Sequence, residues 1–272
     1  MDTGILTVPG ADLYYEVRGA GPVLLFIPGG SGDAQMFAAV ADHFSERHTV
    51  VTYDRRGNSR SLLSRPPVEQ RIAEHADDAL RLLSAFTSEP ADVFGTSSGA
   101  AIALDLTARH PDRVNTVVAH EPLVVGLSPD PVRWRARFDE VYELYRREGG
   151  AAAMGELSAL FGVAAPPTSV PAELPSWVSE MVERVIVNVD FGLAYELRSF
   201  TRYEPDLAAL RDAPIALAAG AGGRETLLYG IAVRLAEQLD RRCVEFPGGH
   251  MGYAMVPDEF AVTLREVLDG KG

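Results

Sequence analysis

A serine framed by glycines, Gly95-Thr96-Ser97-Ser98-Gly99, is the place in this chain where a side chain is best set up to attack an electrophile. Val93-Phe94 lead in like a buried strand and Ala100-Ala101-Ile102-Ala103 lead out like a helix, so the motif falls on a sharp strand-to-helix turn. Glycine on either side removes the Cβ atoms that would block such a turn, and the Ser97 hydroxyl projects from its apex. The helix starting there aims unpaired N–H groups and its positive dipole end at the same point. Acyl transfer is the chemistry this arrangement serves; it needs a base to take the serine proton, an acid behind the base, and donors for an oxyanion. The same stretch also reads as a small-residue turn without chemistry, so its partners decide.

Six histidines compete to be the base. His43 and His48 belong to a helix-to-strand junction and His75 to a helix surface. His110 stands at a helix C-terminus, which stabilises it without further explanation, and His120 next to a strand end. His250 alone lies in a glycine-flanked loop, Pro247-Gly248-Gly249-His250-Met251-Gly252, after the last strand, where its ring reaches the carboxyl edge of a parallel sheet. For the acid there are two candidates. The loop Gly220-Ala221-Gly222-Gly223-Arg224 holds no acid before Glu225, which stands at a helix start where acids serve as caps. Glu121, followed by Pro122, ends the strand after the Ser97 helix, and strand-end placement favours it, with a structural carboxylate as its alternative reading. The oxyanion donors are the backbone N–H of Ser98 and one from Pro28-Gly29-Gly30-Ser31-Gly32, with Gly30 preferred and Gly29 or Ser31 as alternatives. That loop has neither Gly-Lys-Ser/Thr nor Gly-x-Gly-x-x-Gly, so a phosphate cradle is disfavoured.

Strands and helices alternate around these residues. Residues 3–8 and 12–18 read as a hairpin about Pro9-Gly10; 23–27 is a fully apolar strand, 48–53 another, and 114–119 a third that ends at His120-Glu121. In the polar loop 54–61, Asp54, Arg55, Arg56 and Arg60 read as internally paired rather than as an anion site. On the helix from Ile72 an apolar stripe leaves His75, Asp77 and Asp78 on the solvent side. From 126 to 206 the alternation stops: 132–147, 151–161, 177–187 and 191–203 read as helices, broken by Pro166, Pro167, Pro171 and Pro175. This is the pattern of a helical cap inserted into a core of residues 1–125 and 207–272. Ser31, Trp134, Met154, Phe161, Trp177, Phe191, Tyr195 and Met251 are candidates to line a hydrophobic pocket, although aromatics at helical spacing more often pack plain core. The sheet resumes at 214–219 and 242–246, with helices at 226–239 and 257–268.

Composition narrows the partners. A formal charge of −13 disfavours nucleic acid and anionic membrane surfaces, whose phosphates need a basic face. No basic-then-apolar leader and no run of about 18 apolar residues is present, so a cytoplasmic protein without a membrane span is expected. A lone cysteine, Cys243 in a strand, reads as a structural thiol.

With these residues placed, the chain resembles the α/β-hydrolase superfamily, on Gly95-Thr96-Ser97-Ser98-Gly99, Tyr53-Asp54-Arg55-Arg56-Gly57-Asn58-Ser59-Arg60-Ser61 and Phe246-Pro247-Gly248-Gly249-His250. More narrowly it is similar to zearalenone-type lactone hydrolases, on residues 95–100, Pro111-Asp112-Arg113, His120-Glu121, Ala219-Gly220-Ala221 and the His250 loop. The resemblance implies a mostly parallel eight-stranded sheet flanked by helices, a Ser97–His250–Glu121 triad, and oxyanion donors at Gly30 and Ser98. Most members of the superfamily carry an aspartate after the strand corresponding to 214–219; this chain departs from that pattern, and the narrower family's acid corresponds to Glu121. The expected activity is hydrolysis of a small neutral hydrophobic ester or lactone by a monomer or homodimer needing neither metal nor organic cofactor. Haloalkane dehalogenase and epoxide hydrolase chemistry, which place a carboxylate at the turn, are disfavoured by Ser97. Thioester or C–C bond hydrolysis with the same residues, and ligand binding without turnover, are the alternatives.

Overall fold

The computed structural model describes residues 1–270; the last two residues of the expected core segment 207–272 lie outside them. The strands are β1 (Asp2–Val8), β2 (Ala11–Arg18), β3 (Val23–Ile27), β4 (Thr49–Tyr53), β5 (Leu62–Leu63), β6 (Ala91–Thr96), β7 (Val114–His120), β8 (Ile215–Gly220) and β9 (Cys243–Phe246). They form one sheet in the order β1-β2-β4-β3-β6-β7-β8-β9, with β5 attached to β2. The expected eight strands are that path; β5, two residues long, is too short to carry a period-two signal. From β4 through β9 neighbours run parallel, whereas β2 is antiparallel to both β1 and β4.

Every residue of β3 and β6 is buried, and the period of two divides them between two apolar layers. Leu25, Ile27 and Val93 join one core; Leu24, Phe26 and Phe94 join the other. The covering helices are α1 (Ala38–Asp42), α2 (Ile72–Phe86), α3 (Ser98–Arg109), α4 (Pro131–Glu148), α5 (Gly150–Phe161), α6 (Ser176–Phe191), α7 (Leu197–Phe200), α8 (Leu207–Leu210), α9 (Leu227–Gln238), α10 (Gly252–Met255) and α11 (Pro257–Leu268). Between β7 and β8 the chain forms helices α4 to α8 and no strand, with a long non-helical stretch over 162–175 that holds the four prolines. The break expected between 187 and 191 is absent. Instead α6 runs to Phe191 and passes through a π-helix, Gly192–Glu196, directly into α7. No helix among the described residues is long and apolar enough to cross a membrane.

Two expectations on α2 need correction. His75 and Asp78, expected on the solvent side, are 1% exposed; only Asp77 is partly open, bonded to Arg109. Loop 54–61 and α7 cover that face. Arg56, 3% exposed, grips Asp78 with two 2.6 Å hydrogen bonds and also reaches Glu74. The His75 ring stacks edge-on against Phe200. Within the loop only the Asp54–Arg60 pair is internal. Burial holds the His75 imidazole well below its usual pKa, and Arg55 and Arg56 push in the same direction.

At the end of β7, His120 is fully buried among Phe94, Phe246 and Phe260, with Nδ1 3.2 Å from Thr96 Oγ1. Burial drives its pKa down to about 4, against a smaller upward pull from Glu121.

Both features are testable. Asp78→Ala leaves the buried Arg56 without its carboxylate and is expected to destabilise the fold by about 3–5 kcal/mol in urea unfolding. A loss below about 1 kcal/mol would contradict the buried pairing. His120 binds a proton in the unfolded chain near pH 6.5 but in the folded chain only near pH 4. Its contribution is therefore complete above pH 6.5 and lost as pH falls, by about 2 kcal/mol between pH 7 and pH 5. His75 adds in the same direction. His120→Gln should flatten the pH slope of the urea midpoint over that range; an unchanged slope would refute the assignment.

Candidate active site

Ser97 stands between β6 and α3 with φ 56° and ψ −123°, a backbone conformation that non-glycine residues rarely adopt. Two glycines make room for it. A Cβ on Gly99 would strike the carbonyl oxygens of Ile27 and Pro28, and one on Gly95 would strike Gly99 O, so α3 packs on the sheet only with hydrogen at both places. The Ser97 backbone is tied to the β7 end on both sides: its N–H donates to His120 O at 3.0 Å, and its carbonyl accepts from Leu123 N at 3.1 Å. The strained turn is thereby fixed beside Glu121.

Glu121 is itself at φ 45°, 1% exposed, with its N–H bonded to Ala218 O at 2.8 Å. One carboxylate oxygen, Oε1, accepts from Gly220 N at 2.9 Å; the other, Oε2, lies 2.6 Å from His250 Nδ1. Burial alone would raise this carboxyl, but the His250 hydrogen bond and charge, His120 and the Gly220 N–H outweigh it and hold the group below its usual pKa. An ionised carboxylate only accepts, so His250 donates from Nδ1 and, when neutral, keeps the lone pair on Nε2. The missing acid after β8 has a steric counterpart. Gly220 packs so closely on Gly249 that a Cβ there would overlap its backbone, and Gly222 N donates to Gly248 O at 2.7 Å. The glycine loop carries no carboxylate of its own, yet it lets the His250 loop close over the β8 end and presents an N–H to Glu121. Glu225, just after that loop, is exposed.

The Pro28–Gly32 loop lies directly against the serine: a Cβ at Gly29 would be 3.1 Å from Ser97 Cβ, and one at Gly30 would be 4.0 Å from Ser98 Oγ. Ser98 begins α3, where its N–H has no partner within the helix. Of the pocket candidates, Phe161 has its ring 6.4 Å from that of His250, and Met251 follows His250 in the chain. Ser31 is buried at φ 56°, its carbonyl accepting from Asn188 Nδ2 at 3.2 Å. Phe191 and Tyr195 pair at 5.3 Å. Trp134 and Met154 pack partly buried on the main core, and Trp177 stands 50% exposed at the start of α6. Cys243 is half-buried in β9, its thiol pushed up to about 12 chiefly by burial.

Several residues holding this region escaped the sequence reading. Arg184 on α6 bonds Asp33 at 2.6 Å, Asn188 receives Ser59 N at 2.6 Å, and Glu196 takes both Arg55 nitrogens. Only the arginine doublet within 54–61 hinted at such partners, because the acids lie far along the chain.

Comparison with known proteins agrees with this fold. Residues 22–254 match the family model described as alpha/beta hydrolase fold. The uncharacterized hydrolase YraK of Bacillus subtilis is 38% identical over 99% of this chain and 97% of its own. The zearalenone hydrolase of Bionectria ochroleuca is 33% identical over 43% of this chain and 46% of its own. The crystal structure of the enol-lactonase from Burkholderia xenovorans superposes with a TM-score of 0.74 at 21% identity, over 98% of this chain and 100% of that one. A glycine-framed turn ending a buried parallel strand, a strand-free segment of helices between β7 and β8, and a family match spanning most of the chain lead to one conclusion: this protein is a member of the α/β-hydrolase family.

Proposed function

We propose that the protein hydrolyses a carboxylic ester, with lactones the preferred class, through Ser97, His250 and Glu121. The observation that carries this reading is the 2.6 Å bond from buried Glu121 to His250 Nδ1, on the same sheet edge as a Ser97 held in a positive-φ turn. His250 Nε2 takes the hydroxyl proton as Ser97 Oγ bonds to the carbonyl carbon. Charge moves to the carbonyl oxygen, where the Gly30 and Ser98 N–H groups stabilise it. The C–O bond to the alcohol then breaks, and His250 returns its proton to the departing oxygen; in a lactone that alcohol stays tethered to the acyl group. Water, deprotonated by the same nitrogen, attacks the acyl-enzyme; the bond to Ser97 Oγ breaks as His250 passes that proton to it, releasing the acid and free Ser97. Glu121 keeps the ring in the right tautomer and balances the imidazolium.

Residues 126–206 serve in this reading as a cap over the sheet edge. Phe161, Phe191, Tyr195 and Met251 form the apolar wall for a small neutral substrate, Ser31 adds a hydroxyl beside it, and Trp134, Met154 and Trp177 support or rim it. Lactones come from the relatives: a zearalenone hydrolase is similar over 43% of this chain, and an enol-lactonase shares its fold.

Initial rates on p-nitrophenyl acetate and a lactone panel test the roles. Ser97→Ala should abolish turnover. Glu121→Ala should lower kcat by about 10²–10⁴-fold, because an unoriented imidazole is a poor base. Glu225→Ala should stay within about twofold. Reversed behaviour of the two glutamates would overturn the acid assignment, and tight ligand binding without Ser97-dependent turnover would overturn the enzyme.

A further inference from the structure

The carbonyl of Gly29 and the N–H of Gly30 belong to one planar peptide, so fixing the direction of the first fixes the direction of the second. Gly29 O accepts two hydrogen bonds, from Gly32 N at 3.2 Å and from Arg55 Nη2 at 3.1 Å. Together they fix the direction of that carbonyl, and in a trans peptide the Gly30 N–H points the opposite way. Arg55 is a costly residue for this purpose, because its guanidinium is fully buried. It is held by Glu196, 3% exposed, through Nη1–Oε1 at 2.9 Å and Nη2–Oε2 at 2.8 Å, and the guanidinium faces the Phe200 ring at 5.7 Å. Asn58 Nδ2 gives Glu196 a further bond at 3.3 Å.

The acid comes from an unusual place. Glu196 is the last residue of the π-helix Gly192–Glu196, the single departure from regular winding between α6 and α7. A π-turn carries an extra residue, which rotates the side chains that follow. The first residue of the same turn, Gly192, lies against Ser31, where a Cβ would come within 3.3 Å of Ser31 Oγ. The π-helix thus touches the glycine loop at one end and fastens Arg55 at the other.

We infer that Arg55 and Glu196 form a positioning pair that sets the direction of the Gly30 N–H, so that the helical segment carrying Glu196 controls the oxyanion donor. The inference rests on the proposed role of Gly30. Neither side chain touches substrate. Their effect is on the transition state alone, since a ground-state carbonyl needs that donor far less than the oxyanion does.

The test separates this inference from the reading beneath it. A fluorophosphonate that labels reactive serines counts competent sites by intact mass. Labelling of Ser97 in the wild type, absent in Ser97→Ala, is required by the hydrolase reading, and its failure would overturn that reading first. Kinetics per labelled site are then compared for Arg55→Lys, which keeps the charge beside Glu196 but loses the forked donor, and for the double variant Arg55→Met/Glu196→Met, which removes both charges at similar volume. We expect kcat per labelled site to fall about 10–100-fold in each variant, with KM within about twofold, an unshifted pH profile, and an equal loss of affinity for a boronic acid that mimics the oxyanion. A purely structural pair would lower the midpoint of thermal unfolding and the labelled fraction while leaving kcat per labelled site within about twofold. That result, in either variant, overturns the inference. If the double variant does not fold, Arg55→Lys alone decides.

Discussion

A buried carboxylate that holds a histidine at 2.6 Å is the interaction on which the rest of this structure depends. An ionised group 1% exposed is tolerable only when its lone pairs are matched, and here a ring N–H and a backbone N–H match them. That requirement reaches outward. It needs the β8 end to offer Gly220 N rather than an acid, and it needs the His250 loop to settle on Gly220 at backbone contact. It also needs β7 to stop in a positive-φ residue so that the side chain turns back over the sheet edge. The strain at Ser97 and at Glu121 is adjacent and shared, because the Ser97 N–H is bonded to the carbonyl of His120, one residue before Glu121.

Much of this was legible in the sequence because it is local. The apolar runs of β3 and β6, the Gly95–Gly99 spacing and the glycine-flanked His250 each signal through neighbouring residues, and each element formed where its pattern lay. Strand-end position favoured Glu121 over Glu225 in the sequence, and the structure brings Glu121, not Glu225, against the histidine. What escaped was non-local. His75 and Asp78 lie off the apolar stripe of α2, so periodicity placed them in solvent, whereas Arg55, Arg56 and Phe200 cover them from elsewhere in the chain. The π-helix left no trace in composition, and helical periodicity broke there into two helices where the chain runs on as one.

Polar side-chain pairs, among them the buried Arg55–Glu196 ion pair, recur at the junction between the sheet and the helices that follow β7. Arg184 with Asp33, Asn188 with Ser59, and Arg55 with Glu196 all join α6 and the π-helix to the loops after β3 and β4. Burying such pairs adds little net stability compared with apolar packing, but each fixes one geometry. Their common location makes the α6 side a fastened edge.

The central claim is covalent chemistry at Ser97, and the most direct measurement is intact-protein and peptide mass spectrometry after acid quench during turnover of a slowly deacylating ester. The account predicts an adduct of the acyl group's mass on the peptide holding Ser97, absent in Ser97→Ala. Continued hydrolysis by Ser97→Ala at the wild-type rate, with no adduct on either protein, would contradict it.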